Sequence, residues 1–250
     1  APLLIKPYLA SMTRHELLII MTVGMSTIAG SVMVVYTTML YPIYGAGLIG
    51  HFLSASLISV PAGIMYANMM LPSDVKTDFP DKKSNELYSS VMDAITQGTK
   101  NGLDIFLNVI AMLIVVMALV FLANSILSLL PPLLGNPVTL ELLLGYLFAP
   151  LAWFMGIPWE ESIVAGQLLG VKTALNEFVA YLYLADTDTY QLTERSQLIM
   201  LYALCGFANF SSVGILLSGL SAMIPERRMD LISVSGKALW GALLASCLTG

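Results

Sequence analysis

The chain has 250 residues, of which 57% are hydrophobic and only 11% are charged, and its mean hydropathy is +0.82. Soluble domains carry about 25% charged residues, so this composition excludes an ordinary soluble enzyme and predicts an integral membrane protein. The formal net charge of −5 repels phosphate groups and excludes a nucleic-acid-binding protein. Two cysteines, Cys205 and Cys247, are too few for a disulfide-based fold.

The first long apolar stretch, residues 17–73, contains no charged side chain. It is long enough for two membrane spans of about 20 residues each. We predict the first span from Leu17 to Leu40 and the second from Gly45 to Met70, separated by a break at Tyr41-Pro42.

Charged side chains return in residues 74–102, which we expect to form an aqueous loop. Apolar residues at helical spacing within this loop predict a short helix lying on the membrane surface. These residues are Leu87, Val91, Ala94 and Ile95. The next segment, 103–130, is predicted to be the longest single span, and two prolines at 131–132 end it.

The C-terminal part of the chain consists of interrupted apolar segments, 139–185, 196–225 and 231–250. Strand patterns are absent, so the predicted fold class is an all-α integral membrane protein. Irregular backbone at membrane depth is tolerated only where it is buried in protein or lines a wet cavity. Interrupted helices of this kind are typical of transporters, which present helix ends to substrate and ion.

An internal repeat relates the two parts of the chain. Residues 24–32 can be aligned with 206–214, since both place small and hydroxyl residues at the centre of an apolar span. Upstream, residues 7–10 similarly match 182–185. Small-residue clusters also serve helix packing in lipid, so repeated broken helices and close packing are both open interpretations.

Glu177 is the strongest candidate for a functional residue, because a carboxylate in an apolar membrane segment is costly unless it has a role. The alternatives are an ion pair with Lys172 or an interfacial position. Asn209 and Ser212 lie three residues apart and would share one helix face. Together with Glu177 they form an acceptor-rich set that suits a polyhydroxylated ligand such as a sugar.

A cation site is predicted at the first break, where the Thr27 hydroxyl and the Ile28 carbonyl offer hard oxygen ligands. The alternative for Thr27 is a hydrogen bond from its hydroxyl to its own helix. Motifs of hydrolases, metalloproteases and nucleotide-binding enzymes are missing from the sequence, so we predict that the chain is not an enzyme and has no cofactor.

Several strings closely resemble signatures of the concentrative nucleoside transporter family of the bacterial type. They are Asn-Glu-Phe-Val-Ala at 176–180, Gly-Phe-Ala-Asn-Phe-Ser-Ser-Val-Gly-Ile at 206–215, Gly-Tyr-Leu-Phe-Ala-Pro-Leu-Ala-Trp at 145–153, and the broken-helix stretch 24–32. The resemblance covers essentially the whole chain in the right order. It implies a cation-coupled nucleoside symporter, a multi-pass protein of the inner (plasma) membrane that assembles as a homotrimer in the lipid bilayer.

The resemblance also implies an inverted-repeat architecture with re-entrant hairpins and broken helices. On this basis the expected segments are the second arm of a first hairpin with the first broken helix (1–40), a span (41–73), a polar loop with an interfacial helix (74–102), a long span (103–130), a second hairpin region (139–185), a second broken helix (196–225) and a last span (231–250).

Residue roles in the nucleoside site follow from the matching strings. Glu177 would bind ribose hydroxyls from the tip of the second hairpin. Asn209 and Ser212 would complete the ribose site, and Phe207 would lie against the ligand.

The base and the ion would be bound by other parts of the chain. Val32 would line the base-binding side, and Leu103, placed by its spacing from Val32, would add an apolar contact. Thr27 and Ile28 would contribute oxygens to a sodium site, with proton coupling as the other possibility.

One family motif has no counterpart here. The family carries a Gly-Gln-Thr-Glu-like string at the tip of the first hairpin, just before the stretch that matches residues 1–4. We therefore expect an N-terminally truncated chain that contains the ribose half of the site. The alternative function, from a different class, is a non-transporting membrane scaffold or channel subunit.

Overall fold

The computed structural model describes residues 5, 8–75, 77, 90–132 and 137–250, and within them it is helical and contains no strand. The helices are α1 (Arg14–Ser26), α2 (Gly30–Tyr44), α3 (Leu48–Met70), α4 (Val91–Leu127), α5 (Leu140–Phe154), α6 (Trp159–Ala174), α7 (Glu177–Ala185), α8 (Glu194–Ala203), α9 (Phe210–Met223) and α10 (Arg228–Thr249). Short 3-10 turns at Gly45–Gly47 and Pro225–Arg227 precede α3 and α10.

Membrane-crossing length is reached in two stretches of the described residues, Arg14–Met70 and Pro225–Thr249. The pair α5 and α6 qualifies as a third stretch if it is counted together, although it is bent by 118°. The prediction of an all-helical membrane protein is thus confirmed.

Two broken helices give the molecule its internal repeat. In the first, α1 ends at Ser26 and α2 begins at Gly30; in the second, α8 ends at Ala203 and α9 begins at Phe210. Each broken helix is followed by a 3-10 turn and then by a long helix, α3 or α10. The two copies therefore share one order of elements.

The register of the repeat differs from the sequence alignment. The starts of α1, α2 and α3 and of the first 3-10 turn each lie 180 residues before their counterparts, for example Arg14 before Glu194 and Leu48 before Arg228. The alignment of 24–32 with 206–214 implied an offset of 182 residues. It matched small residues, whereas the helix boundaries are set by the N-caps, Thr13 and Thr193, which hydrogen-bond their first turns in the same way.

Two segment boundaries also differ from expectation. α2 continues through Pro42, and the chain turns instead at Gly45, whose φ of 70° favours glycine. α4 starts at Val91, capped by Ser90, and runs without a proline for 37 residues. Residues expected in a short interfacial helix, 91–95, are thus the first turns of α4, while Leu87 lies outside the described residues.

The centre of the structure is formed by α1, α3 and α10, which pack against one another. Their facing side chains are buried, among them Leu18, Met21, Phe52 and Leu243. The hairpin formed by α5 and α6 is packed closely because glycines lie between its helices. A Cβ atom on Gly166 would lie 2.4 Å from the carbonyl oxygen of Gly145.

The two helix breaks meet at this centre. A Cβ atom on Gly206, in the second break, would lie 2.7 Å from the carbonyl oxygen of Ser26, the last residue of α1, and 3.0 Å from Ser246 Oγ. A residue with a side chain would not fit there, so glycine permits the close approach. This contact places the end of α1 beside the gap between α8 and α9.

Candidate functional site

Glu177 is the first residue of α7 and is 5% exposed. The residue before it, Asn176, caps the helix, because its Oδ1 accepts a hydrogen bond from the backbone N–H of Val179 at 3.0 Å. The carboxylate therefore lies at a helix N-terminus, where the helix dipole favours negative charge. Local structure thus offsets part of the cost of burying this charge.

Both carboxylate oxygens of Glu177 accept hydrogen bonds from other helices. The Tyr36 hydroxyl, from α2, donates to Oε1 at 2.7 Å, and Asn209 Nδ2 donates to Oε2 at 3.0 Å. Tyr36 belongs to the first repeat, while Glu177 and Asn209 belong to the second. The carboxylate is therefore one of the points at which hydrogen bonds join the two repeats, as the contact between His51 and Tyr202 is another.

Asn209 links this carboxylate to the second broken helix. It is the N-cap of α9 and is 1% exposed, and its Oδ1 accepts a hydrogen bond from the Ser212 backbone N–H at 2.7 Å. The amide is thus oriented by one bond through its oxygen and another through its nitrogen. Ser211 adds a second link, since its hydroxyl donates to the Leu175 carbonyl at 3.3 Å.

Lys172 does not form the ion pair considered from the sequence. Its ammonium donates to the carbonyl oxygen of Ala203 at 2.7 Å, and no ion pair joins Lys172 to Glu177 among the residues that the structure describes. The interfacial alternative does not fit either, because Glu177 is buried. The two opposite charges contact opposite sides of the second break, Lys172 at the end of α8 and Glu177 at the start of α9.

An aromatic cluster surrounds the hydroxyl that donates to Glu177. The ring of Tyr36 lies 4.9 Å from Tyr181, 6.1 Å from Phe178 and 6.3 Å from Phe52, measured between ring centroids. Tyr36 is 1% exposed, so packing holds its hydroxyl against the carboxylate. Tyr36 is not predictable as a site residue from the sequence, because a tyrosine in an apolar span carries no local signal of its partner.

The other predicted ligand-binding residues have different surroundings. Ser212 lies half-buried in the first turn of α9, and it contacts Asn209 through its backbone N–H rather than through a shared helix face. Phe207 lies half-buried in the second break, and Val32 lies half-buried in the first turn of α2; both pack against the core. Leu103 lies on α4 and is 56% exposed.

The predicted cation ligands lie at the first break. The Thr27 hydroxyl donates to the Val23 carbonyl at 3.0 Å, which is the helix bond considered as its alternative. A hydroxyl that donates in this way keeps lone pairs for a cation. Ile28 is buried, and its N–H points to Ser56 Oγ at 3.5 Å. The two residues follow directly on the C-terminal end of α1, where the helix dipole favours positive charge.

Comparisons with known proteins agree with this architecture. A family profile described as "Na+ dependent nucleoside transporter C-terminus" matches residues 51–250. Over its full length the chain is 40% identical to "Uncharacterized transporter YutK" of Bacillus subtilis and 36% identical to "Nucleoside permease NupC" of Helicobacter pylori. The chain spans 61% and 59% of the lengths of these two relatives.

A solved structure shows the same fold. The structure of CNTnw in an inward-facing substrate-bound state matches with a TM-score of 0.85 and 35% sequence identity, over 100% of this chain and 59% of that one. The matched relatives are transporters and not enzymes, as the sequence predicted. The resemblance found in the sequence motifs is confirmed, and the chain belongs to the Na+ dependent nucleoside transporter family.

Proposed function

We propose that the whole protein is a sodium-coupled symporter that imports nucleosides by alternating access and holds the ribose near mid-membrane. The observation that carries this proposal is the Glu177 carboxylate, which is buried and oriented by Tyr36 and Asn209 without an ion-pair partner among the described residues. A buried carboxylate with free lone pairs is suited to accept hydrogen bonds from sugar hydroxyls.

The surrounding residues support a sugar site. A carboxylate has about four lone-pair positions, and the side-chain donors Tyr36 and Asn209 use two of those on Glu177. The remaining positions are available to ribose hydroxyls. Ser212 contributes a further hydroxyl on α9, and Phe207 offers an aromatic surface in the adjacent break. Val32, at the start of α2, and Leu103 are proposed to contact the base.

Sodium is proposed to bind at the first break through the Thr27 hydroxyl and the Ile28 carbonyl. The break lies at the C-terminal end of α1 and contacts Gly206 of the second break, so an ion there would lie beside both broken helices. Ion binding would favour the arrangement of the breaks that binds nucleoside, which is the coupling that symport requires.

A homotrimer in the inner membrane is proposed as the assembled form. Helix α4 carries large apolar side chains that are more than half exposed in the single chain, including Ile114, Phe121, Leu122 and Ile126. Such a face must be covered either by lipid or by another subunit. A long helix of this type is suited to act as the fixed part against which the substrate-binding helices move.

The whole protein in liposomes is expected to concentrate uridine against its gradient when sodium is supplied outside. A symporter uses the sodium gradient, whereas the alternative, a channel subunit, would only equilibrate uridine, and a scaffold would not move it. Labelled uridine uptake with sodium or choline outside measures the difference. Uptake that stops at equal concentrations inside and outside would contradict the proposal.

Replacing Tyr36 by phenylalanine is expected to weaken nucleoside binding about tenfold. The substitution keeps the ring contacts but removes one hydrogen bond to a charged group, which is worth about 1.5 kcal/mol. Uridine titration of the whole protein checks the result. Tyr41→Phe is the matched control, because Tyr41 lies on the same helix and is 56% exposed; equal effects of the two substitutions would argue against the role of Tyr36.

A further inference from the structure

Lys172 is a buried charged residue to which the proposed transport mechanism gives no role. It lies in α6 and is 0% exposed, and its ammonium donates to the carbonyl oxygen of Ala203 at 2.7 Å. Ala203 is the last residue of α8. Carbonyl oxygens in the last turn of a helix have no partner within the helix, so a buried helix end needs donors from elsewhere.

The equivalent carbonyl in the first repeat is satisfied differently. With the offset of 180 residues, Ala203 corresponds to Val23. The Val23 carbonyl accepts hydrogen bonds from the Ser26 hydroxyl at 3.2 Å and from the Thr27 hydroxyl at 3.0 Å. Local hydroxyls are therefore the donors at the first break, and an ammonium group from another helix is the donor at the second.

The second repeat has no local hydroxyl to offer at these positions. The counterparts of Ser26 and Thr27 are Gly206 and Phe207. Gly206 has no room for a side chain, because a Cβ atom would lie 2.7 Å from the Ser26 carbonyl oxygen. The close contact between the two breaks thus requires glycine at position 206, where the first repeat has a serine hydroxyl. The Ala203 carbonyl accepts its hydrogen bond from Lys172 instead.

The helix end that Lys172 contacts favours a positive charge, which offsets part of the cost of burying the ammonium group. The C-terminal end of a helix carries a partial negative charge, and Ala203 lies at such an end. The Glu177 carboxylate adds an attractive electrostatic interaction with the ammonium group.

We propose that Lys172 is a tethered cation that permanently occupies the C-terminal end of α8, the first half of the broken helix in the second repeat. The first repeat leaves the corresponding end to hydroxyl and carbonyl oxygens, which suit a free ion. In the second repeat the positive charge is the ammonium group of Lys172, which is part of the chain, so no exchangeable cation binds at the end of α8. Each repeat thus has a positive charge at the end of the first half of its broken helix: the proposed sodium ion at α1 and the Lys172 ammonium at α8. Of these two charges, only the sodium ion can dissociate.

The tethered charge makes Lys172 a positioning residue for the substrate site. Lys172 joins α6 to the end of α8, and Asn209 joins the start of α9 to Glu177. Because Glu177 follows Lys172 by five residues, the short segment from Lys172 to Glu177 is attached to both sides of the second break. Loss of the ammonium would free one attachment and displace the carboxylate from its hydrogen-bond donors.

The test compares three forms of the whole protein: wild type, Lys172→Met and Lys172→Ala. Methionine fills the same space without charge, and alanine removes the atoms of n-propylammonium. We expect Lys172→Met to lose at least tenfold in uridine affinity. We expect n-propylammonium, but not the uncharged n-propanol, to raise the melting temperature of Lys172→Ala and restore part of its uridine binding, and to leave the wild type unchanged.

Three results would overturn the proposal. One is a Lys172→Met protein whose uridine affinity is within twofold of wild type. Another is a folded Lys172→Ala protein whose melting temperature n-propylammonium and n-propanol raise equally. This would show that filling the cavity stabilises the protein and that the charge does not contribute. The third is a folded Lys172→Ala protein that responds to neither compound.

Folding failure is also informative. Recovery of Lys172→Ala only with n-propylammonium present throughout purification supports the proposal, and recovery under neither condition leaves the decision to Lys172→Met. The role of Lys172 in positioning rests on the proposed function through uridine binding. The melting temperatures are measured without nucleoside. They therefore show whether the charge at position 172 stabilises the protein even if the wild-type protein fails to bind uridine.

Discussion

Replacing Glu177 by glutamine is expected to weaken nucleoside binding by the whole protein about 100-fold. An ionised carboxylate accepts stronger hydrogen bonds than an amide oxygen, and it accepts at both oxygens. Glutamine would offer one oxygen and one NH2 group, so it could accept from only one of the two present donors. If its NH2 group faced Tyr36, the tyrosine hydroxyl would have to accept instead of donate; if it faced Asn209, two NH2 groups would oppose each other. The loss is about 3 kcal/mol, or about 100-fold in affinity.

Asn209 cannot turn its own oxygen towards the glutamine NH2 group by rotating its amide. Its oxygen is already engaged with the Ser212 backbone N–H at 2.7 Å, so rotation would break the cap of α9. Uridine titration by calorimetry measures the effect. Glu160→Gln is the matched control, since Glu160 lies on the neighbouring helix α6 and is exposed. Uridine affinity within threefold of wild type in Glu177→Gln would remove Glu177 from the proposed site.

Replacing Asn209 by aspartate is expected to destabilise the protein and to prevent nucleoside binding. The substitution keeps the oxygen that caps α9 but replaces the Nδ2 donor by an oxygen that lies 3.0 Å from Glu177 Oε2. Two buried carboxylates at this distance repel each other, which costs several kcal/mol. We expect a lower melting temperature and at least 100-fold weaker uridine binding.

A second substitution separates charge repulsion from a general loss of structure. In the double variant Asn209→Asp/Glu177→Gln, the amide introduced at position 177 can donate to the carboxylate introduced at position 209, so the melting temperature is expected to recover while uridine binding stays lost. Asn176→Asp serves as control, because Asn176 caps α7 and makes no hydrogen bond to Glu177 within the described structure. A double variant less stable than Asn209→Asp alone would contradict the direct contact between the side chains at positions 177 and 209.

The sequence predicted local features well where the physical cause is local. The absence of charge over 17–73 predicts membrane burial, and small residues near 27 and 209 predict helix breaks, because both depend on residues close together in the chain. Residue type alone identified Glu177 and Asn209 as candidate site residues, since polar groups in apolar segments need partners. Helix boundaries were less certain: Pro42 stays inside α2, and the turn follows at Gly45.

The hydrogen-bond partners of the buried polar side chains were decided only by the tertiary structure. The hydroxyl of Tyr36 and the carboxylate of Glu177 are 141 residues apart in sequence, and the ammonium of Lys172 binds a carbonyl 31 residues away instead of the nearby carboxylate. Local patterns report burial and capping within a few residues, whereas the partner of a buried polar group depends on which helix ends packing brings together. The sequence by itself thus determined a membrane-embedded chain of broken helices with an acceptor-rich site, and the close contact of its two breaks decided which groups satisfy one another.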